Sequence, residues 1–109
     1  MHSESDREIL AESTHGFVSR CPCCLEYNVA YKTVLLVFDE DAMLRFFEWV
    51  LSYRHSLENF HALPHGRSHL YSSPHSNLFL VYSDEELDEL SGMYAEVQIL
   101  LEARKLVGR

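Results

Sequence analysis

"NLFLVYSDEELDELSGMYAEVQ", residues 77–98, predicts in order a strand, a helix cap and an amphipathic helix. The run LFLVY is leucine-rich, β-branched and aromatic, which is typical of a strand buried on both faces or nearly so. Ser83 then begins a Ser-x-x-Glu pattern, which predicts a capping box with Glu86. Apolar residues recur at intervals of three and four from Leu87, so the helix is expected to extend toward Leu106.

An earlier stretch, "TVLLVFDEDAMLRFFEWVLSYR" (33–54), has the same order of signals 44 residues before it. Asp39 takes the place of Ser83 as the predicted helix cap, and acidic residues follow it in the first turn, where the helix dipole favours negative charge. The apolar pattern predicts a helix over 43–57. The two similar stretches are consistent with a ββα duplication, although any two strand-cap-helix units resemble each other.

Turn signals precede each of these stretches and complete the predicted sheet. The segment 8–21 breaks at Thr14-His15-Gly16 between two strand-like runs, and YNVAY (27–31) alternates as a strand does. A further turn is predicted at Ser73-Pro74. The fold class is therefore predicted to be α+β, with an antiparallel sheet of four to six strands and two helices packed on one face.

Length and charge limit the possible classes of protein. A chain of 109 residues corresponds to one domain, which we expect over 8–109 after a flexible N-terminus at 1–7. The formal net charge of −8 disfavours nucleic acid and anionic membrane surfaces as partners. No apolar run approaches the roughly 20 residues that span a bilayer, and the acidic N-terminus differs from a signal peptide, so a cytoplasmic location is expected.

The helix predicted over 43–57 is more apolar than one sheet face can cover. Its apolar side chains, which include Phe47 and Trp49, occupy well over half of its circumference. Either the second helix or a second subunit has to cover them. The first functional hypothesis is therefore an interaction or structural module that forms a homodimer through the face containing Phe47 and Trp49.

All three cysteines lie in "RCPCCLEY", residues 20–27, where Cys21 and Cys24 form a C-x-x-C pair. A redox centre of the thioredoxin type requires a helix to start at the cysteines, because the helix N-terminus stabilises the thiolate. Here the residues that follow have strand character and contain no cap. This pattern disfavours the redox interpretation and leaves a metal site or a metal-free turn.

The second functional hypothesis is a small zinc-binding protein. A zinc knuckle places C-P-x-C at the tip of a hairpin, and strand-like residues flank Cys21 and Cys24 on both sides. Structural zinc nearly always has four protein ligands, so His15, His65 and His69 are the candidates for the remaining positions.

Two features of the same segment bear on the zinc hypothesis. Cys23 stands between the paired cysteines and is expected to point away from them. Leu25 occupies the position at which a knuckle typically carries glycine. A metal-free turn with buried or half-buried thiols therefore remains the alternative.

Signals for catalysis are absent from the sequence. It contains no glycine-rich phosphate loop, no H-E-x-x-H and no G-x-S-x-G, and its carboxylates cluster at helix starts, where capping explains them. Five of the seven histidines lie between residues 55 and 75, a stretch predicted to be an exposed loop. We therefore predict no catalytic residue, no cofactor-binding residue and no cofactor, with zinc as the one alternative.

Taken together, these motifs resemble a known family. Gly16-x-x-x-x-Cys21-x-x-Cys24, a strand with a bend near Lys32 and Thr33, and the two strand-helix stretches are similar to a family of small, uncharacterised, single-domain proteins of Bacteroidetes-type bacteria. The resemblance begins at about residue 8 and covers most of the chain. It implies the fold and the pairing of Cys21 with Cys24 as family features, and it implies no activity.

Overall fold

The computed structural model describes residues 7–107. Most of the predicted N-terminal segment 1–7 lies outside this range, so the domain boundary stays a prediction. Two short 3-10 turns, at Leu57–Asn59 and Pro64–Gly66, interrupt the segment that follows the first helix. The regular elements of the described part are β1 (Glu8–Glu12), β2 (Gly16–Cys21), β3 (Glu26–Tyr31), β4 (Val34–Phe38), α1 (Glu40–Ser52), β5 (His69–Ser72), β6 (Phe79–Tyr82) and α2 (Asp84–Val107).

The strands form two antiparallel sheets. The larger sheet has the order β1-β2-β3-β4, and β5 pairs with β6 in a separate two-stranded sheet. Within the described residues, β4 pairs only with β3, so the free edges of β4 and β6 are not joined. The predicted α+β class with an antiparallel sheet of four to six strands is confirmed: the larger sheet has four strands, and the other two form a sheet of their own.

Both helices pack on one face of the larger sheet. α1 contacts β3 and β4, whereas α2 contacts β1 and β2 and also reaches β6. The core between these layers includes Val18 and Val29 from neighbouring strands, and Met43, Leu87 and Leu90 from the helices. In the described part of the chain, neither helix is long and apolar enough to cross a membrane.

The helix caps are formed as the sequence predicts. The Asp39 carboxylate accepts a hydrogen bond from the amide of Ala42 at 2.8 Å. At the second helix, the Ser83 hydroxyl accepts from the amide of Glu86 at 3.1 Å, and the Glu86 carboxylate accepts from the amide of Ser83 at 2.8 Å. The capping box is therefore confirmed, and it fixes the point at which β6 passes into α2.

The apolar face of α1 is covered from within the chain. Phe47 is completely buried and its ring stacks on Tyr94 of α2 at 5.1 Å between centroids. Trp49 is half-buried against the ring of Tyr71 in β5. The proposed dimer surface containing Phe47 and Trp49 is therefore wrong for Phe47, because α2 already covers that side chain.

The end of α1 also differs from the sequence prediction. The helix ends at Ser52, although the apolar pattern predicts helix as far as residue 57. The Arg54 guanidinium binds Asp84 and Asp88 in the first turns of α2, at 3.0 and 2.8 Å. These contacts hold the chain after α1 against the start of α2. The next regular element in the chain is the 3-10 turn at Leu57–Asn59.

Both apolar strand runs are exposed on the side opposite the helices. Leu35 and Val37 of β4 are 50% and 53% exposed, and Phe79 of β6 is 47% exposed. The prediction that LFLVY is buried on both faces is wrong, since the helices cover only one face of each sheet.

Candidate metal centre

The cysteines lie at the tip of the β2–β3 hairpin. Cys21 ends β2 and pairs with Glu26, the first residue of β3, so the connecting loop has only four residues. The amide of Leu25 donates to the carbonyl of Cys21 at 2.8 Å and closes the loop. Leu25 has a φ of 58°, the left-handed conformation that glycine adopts readily and that leucine adopts at a cost. Leu25 thus adopts a left-handed conformation at the position where a zinc knuckle typically carries glycine.

At this tip the three thiols form one cluster. Their sulfur atoms all lie within 4.8 Å of one another, and Sγ of Cys21 is 3.2 Å from Sγ of Cys23. None of the three forms a disulfide in the described part of the chain; Cys21 is buried, whereas Cys23 and Cys24 are exposed. The expectation that Cys23 points away is wrong, because the four-residue loop turns its side chain back toward Cys21.

The thiols influence each other's ionisation. Burial raises the pKa of Cys21, but S–H···S hydrogen bonds from Cys23 and Cys24 outweigh burial and lower this pKa. The hydrogen bond to Cys21 raises the pKa of Cys23 to about 11, and the same kind of contact raises the pKa of Cys24. The cluster therefore loses one proton easily and holds the others, because further negative charges at this distance repel each other.

The sulfur positions are close to those that a zinc ion requires. Zn–S bonds are about 2.3 Å long, which places tetrahedral sulfur ligands about 3.8 Å apart. The 3.2 Å between Cys21 and Cys23 has to lengthen by about half an ångström, a displacement within reach of two side-chain torsions in an exposed loop. The three thiols can supply three of the four ligands, and the exposed side of the cluster leaves the fourth position to solvent.

The predicted histidine ligands lie elsewhere. His15 precedes β2 at the end opposite Cys21, and its Nδ1 atom is 3.0 Å from the Glu89 carboxylate in α2. His65 shares a cavity with His15 near the start of α2, whereas His69 is buried in β5. Among residues 7–107, the one group of three or more potential ligands within reach of a single ion consists of the thiols Cys21, Cys23 and Cys24.

The opposite end of the hairpin is a network of ion pairs. The Glu86 carboxylate is buried and contacts both Lys32, which follows β3, and Arg67, which precedes β5. One carboxylate thus joins the β3–β4 turn, the segment before β5 and the first turn of α2. The sequence indicates Glu86 only as a capping residue, and no sequence signal identifies its two cationic partners.

A second carboxylate in this network holds the β1–β2 turn. Glu89 accepts hydrogen bonds from the hydroxyl of Tyr31 at 2.5 Å and from the amide of His15 at 2.8 Å. Burial raises the pKa of Glu89, but these hydrogen bonds outweigh burial and lower it to about 2. The carboxylate stays ionised and engaged with groups of the same chain, which is the arrangement of a structural contact.

Close packing at the start of β2 explains one further residue of the motif. A side chain at Gly16 would meet the carbonyl oxygen of Ala30 at 2.2 Å. Only glycine therefore permits β2 to pair with β3 over its whole length, and this pairing aligns Cys21 with Glu26 at the other end.

Comparisons with known proteins identify a family and no activity. No curated protein and no solved structure matches this chain at a significant level. One family model matches residues 2–102, which include both strand-helix stretches and all three cysteines. The chain belongs to the family of unknown function DUF6686.

Proposed function

We propose that this protein binds one zinc ion through the thiolates of Cys21, Cys23 and Cys24. The observation that carries the proposal is the convergence of three sulfur atoms within 4.8 Å at one hairpin tip. Thiolate ligands select soft or borderline ions such as Zn²⁺ and Cu⁺ and disfavour Mg²⁺ and Ca²⁺. Zinc is the ion that we assign, because a fourth ligand from water completes its tetrahedron.

The electrostatics of the tip support a cation at this position. Once Cys21 has ionised, its negative charge opposes ionisation of the other two thiols. The pKa of Cys24 is raised chiefly by its contact with Cys21, which outweighs a hydrogen bond from the Glu26 backbone that lowers it. A divalent cation reverses this repulsion, so binding releases protons and its affinity increases with pH.

The metal would fix the loop and would not hold the fold together. The hydrophobic core lies between the larger sheet and the two helices, and Cys23 and Cys24 are exposed outside it. Loss of the ion should therefore loosen residues 22–25 and leave the helices and strands in place. A zinc finger, which has no comparable core, unfolds without its metal.

Elemental analysis of protein purified without chelator or added metal tests the proposal. We expect about one equivalent of zinc in the wild type and less than about a tenth in the Cys21→Ser, Cys24→Ser double variant. Cys23→Ser should also lower the zinc content, which separates a three-thiolate site from a two-thiolate knuckle. His15→Ala is the control, since its ring binds Glu89 at the other end of the hairpin. Full zinc content in Cys23→Ser would contradict the three-thiolate site.

Self-association is the second candidate function, and the side of the larger sheet that faces away from the helices supports it. Two rows of paired residues form the middle of this outer sheet face, and Glu12, at the β1 end of one row, is their one charged residue. Apolar residues at the edges, such as Leu35, are about half exposed. The two rows are Ile9, Ser19, Asn28 and Val37, and Glu12, Phe17, Ala30 and Leu35.

A second copy of this chain suits the outer sheet face. A chain with a charge of −8 repels its own copies, so close contact is most favourable where charged side chains are few, as in these two rows. Four strands about 4.8 Å apart and five residues long present only about 300 Å², against about 800 Å² per partner in a standard interface. The dimer should therefore be weak, with a Kd in the micromolar range or above.

Sedimentation equilibrium from micromolar to near-millimolar protein measures this association. We expect the average mass to rise with concentration, and Val37→Lys to remove the rise because it places a charge within the interface. Leu57→Lys is the matched control, since Leu57 is exposed and lies outside the sheet. A mass of one chain at every concentration would contradict self-association.

A further inference from the structure

A nearly apolar cavity of about 300 Å³ lies between β4, α1 and the turn that joins β5 to β6. Its walls come from Leu36 and Phe38 of β4, Trp49 of α1, and Leu78 and Leu80 around the start of β6. The cavity is separate from the thiol cluster, none of whose residues lines it.

The cavity exists because the two sheets do not join. Leu36 pairs with Val29 of β3, and Leu80 pairs with Tyr71 of β5. In the described part of the chain, neither residue has a second strand paired on its other side. Leu36, Phe38, Leu80 and Trp49 are consequently only partly buried, and they pack against the edge of the core without being enclosed by it. An apolar ligand that fills the space between them would remove more of this surface from water.

One cationic side chain, that of Arg45, lines this cavity. Arg45 of α1 lines it and is exposed, and no ion pair joins it to any carboxylate among residues 7–107. Most other arginines of the described chain have carboxylate partners, as Arg54 and Arg67 do. The chain has 17 acidic residues against nine basic ones, so an arginine left without a carboxylate beside an apolar cavity is a specific feature.

We propose that this cavity binds a free, medium-chain fatty acid. The alkyl chain would lie against Leu36, Leu80 and Trp49, and the carboxylate would bind the guanidinium of Arg45. A volume of about 300 Å³ holds roughly ten heavy atoms at about 30 Å³ each, which corresponds to a chain of eight to ten carbons. Ten heavy atoms in a partly open site correspond to a Kd of about tens of micromolar.

Fluorescence of the one tryptophan in the chain reports on this cavity directly, because Trp49 is part of its wall. Titration with decanoate, kept below its micellar concentration, should give a saturable change in Trp49 emission. Decanol tests the alkyl contacts without the charge and should bind more weakly. Acetate has no alkyl chain and should give no saturable change. If decanoate produces no saturable change, and calorimetry detects no heat of binding, the site does not exist.

Arg45→Gln tests the carboxylate contact, and it should fold normally because the side chain is exposed. We expect it to weaken decanoate binding about fivefold or more and to leave decanol binding unchanged. Arg7→Gln is the matched control: it makes the same change in net charge beside β1, at the opposite edge of the sheet from β4. Equal loss of decanoate binding in both variants, or none in Arg45→Gln, would overturn the assignment of Arg45.

Discussion

The two ends of the β2–β3 hairpin place polar groups in opposite situations. At the end near His15 and Tyr31, carboxylates of α2 meet cations and hydroxyl groups of the same chain. At the tip, three groups of the same kind converge, and their ionisation is mutually unfavourable. Polar groups that are paired with opposite charges or hydrogen-bond donors of the same chain stabilise the fold. A cluster of groups of one kind, such as the three thiols, is instead suited to bind an ion from solution.

The largest effect on stability should come from a substitution at the end of the hairpin near His15 and Tyr31, where carboxylates are paired with cations. Glu86→Ala removes a buried carboxylate and leaves Lys32 and Arg67 facing each other without it. Because both cations are about 37% exposed, water compensates them in part, and we expect a loss of about 3 kcal/mol in the free energy of unfolding. Urea denaturation measures this change.

A matched variant one residue away serves as its control. Glu85→Ala removes the same charge from the exposed side of the same helical turn and should cost less than about 0.5 kcal/mol. Equal costs for Glu85→Ala and Glu86→Ala would show that the negative charge at the start of α2, and not the buried contacts of Glu86, determines the loss in the free energy of unfolding.

The next effect is a dependence of stability on pH. The pKa of Glu89 is about 2 in the folded protein and 4.5 ordinarily, so the unfolded chain binds more protons between these values. The stability that Glu89 contributes is therefore fully present above pH 4.5 and is lost as the pH falls toward 2. The urea midpoint of the wild type should decrease across this window, and more steeply than that of Glu89→Gln. Parallel curves for the two proteins would show that the contacts of Glu89 are not maintained in solution.

Removal of either helix cap should have a smaller effect on stability, of similar size for α1 and α2. Ser83→Ala and Asp39→Ala each remove a hydrogen bond to a helix-start amide, and each should cost about 1 kcal/mol. Ser83→Asp and Asp39→Ser retain a capping oxygen and should restore most of the loss. An unchanged denaturation midpoint in both alanine variants would mean that neither cap is formed.

The smallest effect concerns the tip itself and has the opposite sign. Leu25→Gly relieves the left-handed backbone conformation of Leu25 and should stabilise the protein by about 1 kcal/mol or less. It leaves the thiols in place, so zinc binding should be retained. Destabilisation by Leu25→Gly would show that the leucine side chain contributes contacts that outweigh the backbone strain.

The sequence predicts the elements and their caps because those depend on local patterns. Asp39 and the Ser83–Glu86 box are recognisable from spacing alone, and the structure confirms them. The exposure of Leu35 was not predicted, because an apolar strand has the same composition whether one face or both are covered. Covering of Phe47 by Tyr94 depends on how α2 crosses α1, which no local pattern specifies.

The candidate site was predictable in part for the same reason. The C-x-x-C spacing places Cys21 and Cys24 together at a hairpin tip, because their separation is local. The inclusion of Cys23 depends on the backbone path of the four-residue loop, which brings its sulfur to 3.2 Å from that of Cys21 and which the spacing of the cysteines does not specify. The location of His15 depends on its contact with Glu89, 74 residues away, which spacing cannot reveal.

Cobalt titration tests the central claim most directly, because Co²⁺ replaces zinc in thiolate sites and gives a charge-transfer absorption that grows with the number of bound thiolates. We expect saturation at one equivalent of Co²⁺ and displacement of the band by zinc. The band should fall by about a third in Cys23→Ser and stay unchanged in His15→Ala, in proportion to the three sulfurs that converge at the tip. No charge-transfer band at several equivalents of Co²⁺, with all three thiols shown to be reduced, would contradict it.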